Sequence, residues 1–415
     1  MIKIPEFLAP AIEALHSNGA TAVLVGGYIR DTLLGKDSKD IDIEVYNISG
    51  FDEMAEILKP FGRLSVVGKN FGVLKLFLQD YDIDFSLPRI ETKISPGHKG
   101  FSVVLDSKLP YTQAAKRRDF TINSVGYDIK TGSILDPYNG IMDLKNRILT
   151  YVNKKTFIED PLRVLRAVQF CARFNLSCSL ELIELCRYIC DNDLITQLPK
   201  ERIYEEFLKL LLKAKKPSLG FTLFDTFHLN RYYPELSLTK DSLRYIDNMA
   251  SLKTGDFKTD IILMLSVLTF DLDTAANVES FLHKFLNEKH IIQEVLNLYI
   301  HKNFLEQISS DIITDYEINI LSTKVNIKNI LLVSEARESK YEKIKEKALI
   351  LNVFTNKPKP LIMGRDLIDL GLEPSPVFSD ILNTLYDAQL KEYFLTYDEA
   401  KIWLKKYLKR FNLCR

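Results

Sequence analysis

Cysteine is scarce in this chain of 415 residues, and its five cysteines never fall into a C-x-x-C pair. Cys186 and Cys190 have the spacing to share a helix face, but no histidine lies near them. Cys171, Cys178 and Cys414 stand apart, so the expectation is free thiols in a reducing compartment and no zinc site. The six histidines are scattered and form no H-x-x-x-H or His-Asp pair. No uninterrupted apolar run approaches the ~18 residues of a membrane span. The N-terminal stretch M-I-K-I-P-E-F-L-A-P lacks the apolar core and cleavage site of a signal peptide, so a cytoplasmic protein is expected, with no membrane contact. There is no excess of either charge: 55 Lys and Arg balance 55 Asp and Glu. That excludes a chain basic all over, as many nucleic-acid binders are, but not a basic face.

What is present is concentrated in Leu24 to Tyr46, L-V-G-G-Y-I-R-D-T-L-L-G-K-D-S-K-D-I-D-I-E-V-Y. Ala22 to Val25 reads as a buried strand, broken by Gly26 and Gly27. Tyr28 to Leu34 reads as a short helix stopped by Gly35. Asp40 to Val45 alternates acid and apolar residues. On a strand, Ile41, Ile43 and Val45 face one way and Asp40, Asp42 and Glu44 the other. Neighbouring carboxylates on a rigid strand repel each other unless a divalent cation lies between them. A glycine pair before a helix lets backbone approach an anion. Mg²⁺ favours a few carboxylates plus substrate phosphates, so the two halves fit the holding of a nucleoside triphosphate.

Two stretches downstream fit the same task. Lys116-Arg117-Arg118-Asp119-Phe120-Thr121-Ile122-Asn123 places three cations together, and the planar fork of arginine suits phosphate oxygens. In Glu159-Asp160-Pro161-Leu162-Arg163-Val164-Leu165-Arg166, Pro161 marks the first helical position and Asp160 an N-cap. Asp160, Arg163 and Arg166 recur every three residues and lie near one face, with Leu162, Leu165 and Val168 on another. An aspartate accepts from the amino group of cytosine or adenine, and an arginine donates to the adjacent ring nitrogen. Uracil and guanine present the reverse pattern. By analogy with base readout in DNA, each good bidentate contact is worth about 1–3 kcal/mol.

The form G-G-x-x-R-D-x-L-L-G-x-x-x-x-D-x-D resembles the nucleotidyltransferase signature of the polymerase-β superfamily. More closely, it is similar to that of class II tRNA nucleotidyltransferases and bacterial poly(A) polymerases. The R-R-D-F-T-I-N and E-D-x-x-R elements match the same family. The resemblance implies an α+β head with a mixed sheet, followed by an all-helical neck, body and tail. It divides the chain at 1–150, 151–215, 216–345 and 346–415, the tail contacting tRNA. It implies Asp40, Asp42 and Asp84 as catalytic carboxylates, with Asp40 and Asp42 holding Mg²⁺. Asp84 comes from the alternating Tyr81-Asp82-Ile83-Asp84-Phe85-Ser86. Gly26, Gly27, Arg30, Arg118, Asp119, Glu159, Asp160, Arg163 and Arg166 are the implied nucleotide-binding residues. Many relatives carry a further arginine where this chain has Gln169. The implied substrates are CTP, ATP and the tRNA 3′ end, with no protein partner. The implied reaction is CCA addition, with CC-only, A-only and poly(A) synthesis as alternatives.

Other expectations rest on pattern. Phe51 to Leu58 reads as helix, and Leu64–Val67 and Val73–Leu78 as strands. Ser95 to Leu109 reads as an exposed loop. Leu198 to Phe207 opens a helix with Ile203, Phe207, Leu210 and Leu211 inward, matching the family's E-R-I-x-x-E element and bracing the neck. Ile261 to Asp271 lacks the His-Asp pair of a metal phosphohydrolase. Phe378–Gln389 and Tyr397–Lys409 read as helices.

Overall fold

The β1 strand, Thr21–Val25, lies near the middle of a seven-stranded mixed sheet and forms because its run T-A-V-L-V is apolar and largely β-branched. The computed structural model describes residues 2, 4–67, 72–78, 81–93, 100–307 and 313–410. Along the sheet the order is β3, β4, β5, β2, β1, β8, β9. These strands are β2 Ile41–Tyr46, β3 Arg63–Val67, β4 Val73–Leu78, β5 Tyr81–Ser86, β8 Gly126–Asp128 and β9 Ser133–Leu135. Only β2 and β5 run parallel, with Asp42 in register with Asp84. The other pairs are antiparallel.

Period-two alternation gives this sheet two different faces. Ala22, Leu24, Ile41, Ile43, Val45, Ile83 and Phe85 enter a core with Ile12 and Leu15 of α1, Ala9–Ser17, and Met54 and Leu58 of α3, Phe51–Leu58. On the other face Val23, Val25 and Tyr46 pack with Leu109 and Ala114. That second face carries Asp42 and Glu44. Between β1 and β2 runs α2, Gly27–Leu33.

A two-stranded ribbon, β6 Arg89–Lys93 and β7 Phe101–Leu105, leaves the sheet after β5. This corrects the expected loop. Residues 101–105 pair along their whole length with R-I-E-T-K, because F-S-V-V-L is a strong strand former once a partner is beside it. Residues 95–99 of that expected loop lie outside the described residues.

Short helices α4, Tyr111–Ala115, and α5, Gly140–Lys145, complete the head. A parallel bridge of β10, Ile148–Leu149, with β11, Ser177–Cys178, brackets α6, Lys154–Glu159, and α7, Leu162–Phe174. Next come α8, Leu180–Asp191, and α9, Lys200–Lys213, which packs along α7. Ile203, Phe207, Leu210 and Leu211 are its buried face, as the periodicity requires. Cys171, Cys186 and Cys190 are buried free thiols, and Cys171 touches Cys178 with 3.4 Å between sulfurs. Cys414 lies outside the described residues.

The chain forms two compact units, Met1–Ser237 and Leu238–Arg415. In the second, the helix Phe257–Thr269 is buried on every side from Asp260 onward, which suits its apolar sequence. Asp271, just beyond it, accepts from Arg337 at 2.8 Å and from Ser242 at 2.9 Å. Helices Val377–Leu390 and Tyr397–Arg410 close a small separate core around Leu385, Leu404 and Leu408. Among the described residues, no helix is long and apolar enough to cross a membrane.

Candidate nucleotide site

Glu44 is the electrostatic centre of the head, and it was expected only as the third acid of an alternating strand. Its carboxylate is fully buried, yet it accepts from Arg117 at 2.7 Å, Arg118 at 3.0 Å and the Tyr46 hydroxyl at 2.8 Å. Burial alone would raise its pKa. The two guanidinium groups and the tyrosine bond outweigh that and hold it below the usual carboxylate range. Glu44 thereby fixes both arginines of the R-R-D element against the D-x-D strand.

Gly26 lies beside this cluster. It takes the left-handed φ of +71°. A β-carbon there would stand 3.1 Å from Arg118 Nη1 and 3.3 Å from Asp42 Oδ2. Three elements separated in sequence therefore meet at one point. Asp42 is partly buried and its pKa is raised, first by burial, against the opposing pull of Arg118, and then by Asp84, Asp40 and Glu44. Asp84 faces it across the parallel pair, and its buried Oδ1 is ion-paired with Lys75 at 3.4 Å without a hydrogen bond. Asp40 is exposed. A carboxylate oxygen that accepts no hydrogen bond, a raised carboxyl and an all-oxygen donor set fit a hard divalent cation. Among the described residues, no three such side chains yet converge as a complete ligand set.

Asp119 ties the head to α7. One oxygen accepts from the Phe120 amide at 2.8 Å and the Asn123 amide at 3.0 Å. The other accepts from Arg166 Nε at 2.7 Å and Nη2 at 2.6 Å. Burial works against its charge, but Arg166, Arg163 and these bonds hold its pKa down to about 2. Arg118, Asp119, Asp160, Arg163 and Arg166 line one cleft of about 390 Å³.

Within that cleft Asp160 and Arg163 do not bond to each other. Asp160 accepts a two-pronged contact from Arg202 of α9, at 3.2 and 3.0 Å, and a long 3.4 Å bond from the Leu162 amide. The helix itself begins at Leu162, with Pro161 at the cap, one residue later than the proline suggested. Arg163 Nη2 donates to the Arg117 carbonyl at 2.5 Å, while its buried Nη1 has no acceptor. Burial lowers the Arg163 pKa.

Other candidates lie elsewhere. Arg30 is buried, donates to Asn123 at 2.7 Å and Asp31 at 2.8 Å, and stacks over Phe174 at 4.4 Å. Its donors brace α2 under α7. Gly27 is next to it, its β-carbon position 3.5 Å from Arg30 Nη2. Glu159 lines a neighbouring cavity. Gln169 is buried inside α7 and accepts from Arg173 at 3.0 Å.

Residues 22–150 match the family of the poly A polymerase head domain, and residues 184–239 the probable RNA and SrmB-binding site of polymerase A. The chain is 36% identical over 217 residues to a multifunctional CCA protein of Xanthomonas campestris, which is 51% of this chain and 50% of that one. It is 34% identical over 236 residues to a multifunctional CCA protein of Xylella fastidiosa, covering 56% of this chain and 54% of that one. It thus spans about half the length of the curated relatives it matches. The Bacillus stearothermophilus CCA-adding enzyme in complex with CTP superposes with a TM-score of 0.76 at 20% identity, covering 99% of this chain and 100% of that one. The Thermotoga maritima CCA-adding enzyme complexed with tRNA gives 0.66 at 21% identity, covering 98% and 97%. The fold of the chain is that of these CCA-adding enzymes, and its residues 22–150 are similar to the poly A polymerase head domain.

Proposed function

We propose that the chain transfers cytidylyl and adenylyl groups from CTP and ATP to the 3′ end of a tRNA lacking its CCA terminus. The observation that carries this reading is the meeting of Gly26, Asp42 and Arg118 at one point, continued through Asp119 to Arg166 on α7. A nucleotide with its phosphates near Asp42 and its base toward α7 spans these groups.

In this reading Asp42 and Asp84, with Asp40 beside them, would hold Mg²⁺, which when bound would supply positive charge to acidify the attacking 3′-hydroxyl and offset the charge of the departing pyrophosphate. Arg118, fixed by Glu44, presents its guanidinium to phosphate or ribose oxygens. Gly26 keeps the space between Arg118 and Asp42 clear, because any side chain there would fill it. Asp160 accepts from the base amino group and the unspent Nη1 of Arg163 donates to the ring nitrogen. Uracil and guanine would set acceptor against acceptor at Asp160.

The test is direct. Purified protein with Mg²⁺, a tRNA ending before its CCA and each nucleoside triphosphate in turn should incorporate C and A, and neither U nor G. Asp42→Ala should reduce incorporation of both to background. Equal use of all four nucleotides would refute the base-reading assignment, and turnover by Asp42→Ala the metal assignment. Stepwise product lengths distinguish full CCA addition from its partial forms. Long adenylate runs on unstructured RNA would mark a poly(A) polymerase.

A further inference from the structure

A second cavity, of about 280 Å³, adjoins the cleft. The two share Arg89, Glu91 and Arg117 as a common wall. Arg89 donates to Glu91 at 2.7 Å, and Arg117 lies 3.9 Å from the same carboxylate, so the wall is cross-braced. On its far side the cavity is lined by Lys116 and Lys155. Both are exposed, and among the described residues neither is in an ion pair with a carboxylate. Lys155 stands in the first turn of α6, where the helix dipole disfavours a cation, and no acid occupies that turn. Arg117 Nε, in the wall itself, is buried and has no acceptor. A buried N–H without a partner is costly unless a ligand supplies one. With Glu44 counted as the partner of Arg117, four cations meet three carboxylates here, and the excess positive charge sets the cavity for an anion.

The remaining lining says which anion. Ile90 of β6 is 45% exposed, and Gln113 offers a side-chain amide. An apolar wall beside an amide suits a nucleobase, whereas a free phosphate or pyrophosphate needs neither. We propose that this cavity is a second phosphate-binding site, separate from the nucleotide cleft, that takes a phosphodiester of the RNA strand being extended, with the adjoining base against Ile90. The inference rests on the proposed reaction only in calling that strand the substrate.

The experiment uses the full chain and the double variant Lys116→Ala/Lys155→Ala. A 5′-fluorescent tRNA lacking its CCA end is titrated by anisotropy without nucleotide, at 50, 100 and 200 mM KCl. One lost single-strand phosphate contact should lower the slope of log affinity against log salt by about 0.7. The affinity itself should fall roughly tenfold at 100 mM. The KM for CTP, and kcat at saturating RNA, should stay at wild-type values. A control, Lys59→Ala/Lys130→Ala, removes the same charge from exposed positions elsewhere on the head and should leave binding unchanged. The proposal is overturned if RNA affinity and slope are unaltered, or if the control matches the double variant. It is also overturned if only the KM for CTP, or only inhibition by added pyrophosphate, responds. The binding arm needs no turnover, so a wild-type protein that incorporates no nucleotide would defeat the proposed reaction and still leave the cavity tested.

Discussion

Asp119 shows how much a single buried acid can be asked to do. It is charged, 7% exposed and bonded on both oxygens, and its pKa is held down to about 2. A carboxylate with a folded pKa below its unfolded value adds stability that is fully present above the unfolded value, near 3.8, and fades as pH falls through the folded one. The shift corresponds to roughly 2 kcal/mol at neutral pH, of which about half is gone by pH 3. Asp119→Asn should therefore lower the unfolding free energy by about that amount at pH 7, and the gap between variant and wild type should narrow by about half at pH 3. Urea titrations at both pH values check this, and a gap indifferent to pH would show that Arg166 is not its partner in solution. Asp119 and Arg118 were legible in sequence because three cations and an acid stood together. Glu44 was not singled out. An alternating strand says which residues share a face but not whether that face is solvated, and here the acidic face lies under Arg117 and Arg118.

At the scale of elements, the three-residue spacing puts Arg163 and Arg166 near one face of α7, because helical periodicity is a local property, whereas Asp160 stands before the Pro161 cap, outside the helix. Their partners were hidden, because Asp119 lies 47 residues before Arg166 and Arg202 lies 42 after Asp160. Only the packing of α7 along α9 brings Arg202 within reach. The ribbon β6–β7 was missed for a related reason, since the Pro96-Gly97 turn signal reads as loop and does not say that the residues after it pair with Arg89–Lys93 before it. Arg202 occupies both oxygens of Asp160, so it fixes the direction in which that carboxylate can accept from a base. Arg202→Ala should raise the KM for both CTP and ATP and lower discrimination against UTP by roughly tenfold, within the range of one good bidentate contact. Arg202→Lys should recover the KM more than the discrimination, since an ammonium supplies the charge without the fork. Competition assays with paired nucleotides read the difference. Discrimination untouched by Arg202→Ala would mean that Asp160 holds its orientation without help.

At the scale of the whole molecule, the acid cluster, the arginine pair, α7 and Arg202 all fall within Met1–Ser237, which is compact in its own right. That unit carries its own apolar cores on both faces of the seven-stranded sheet. A segment with a closed core of its own should fold alone. Residues 1–237 expressed separately should unfold in one cooperative transition. They should bind CTP in the presence of Mg²⁺ with a Kd within about threefold of the full chain, because every group assigned to the nucleotide is retained. Calorimetric titration and thermal unfolding read both properties. A fragment with native-like helix content but no cooperative transition would mean that Leu238–Arg415 completes the core of the first unit. A cooperative fragment that cannot bind CTP would move part of the nucleotide site out of the head and neck, and with it the assignment of Asp42 and Arg163 to one ligand.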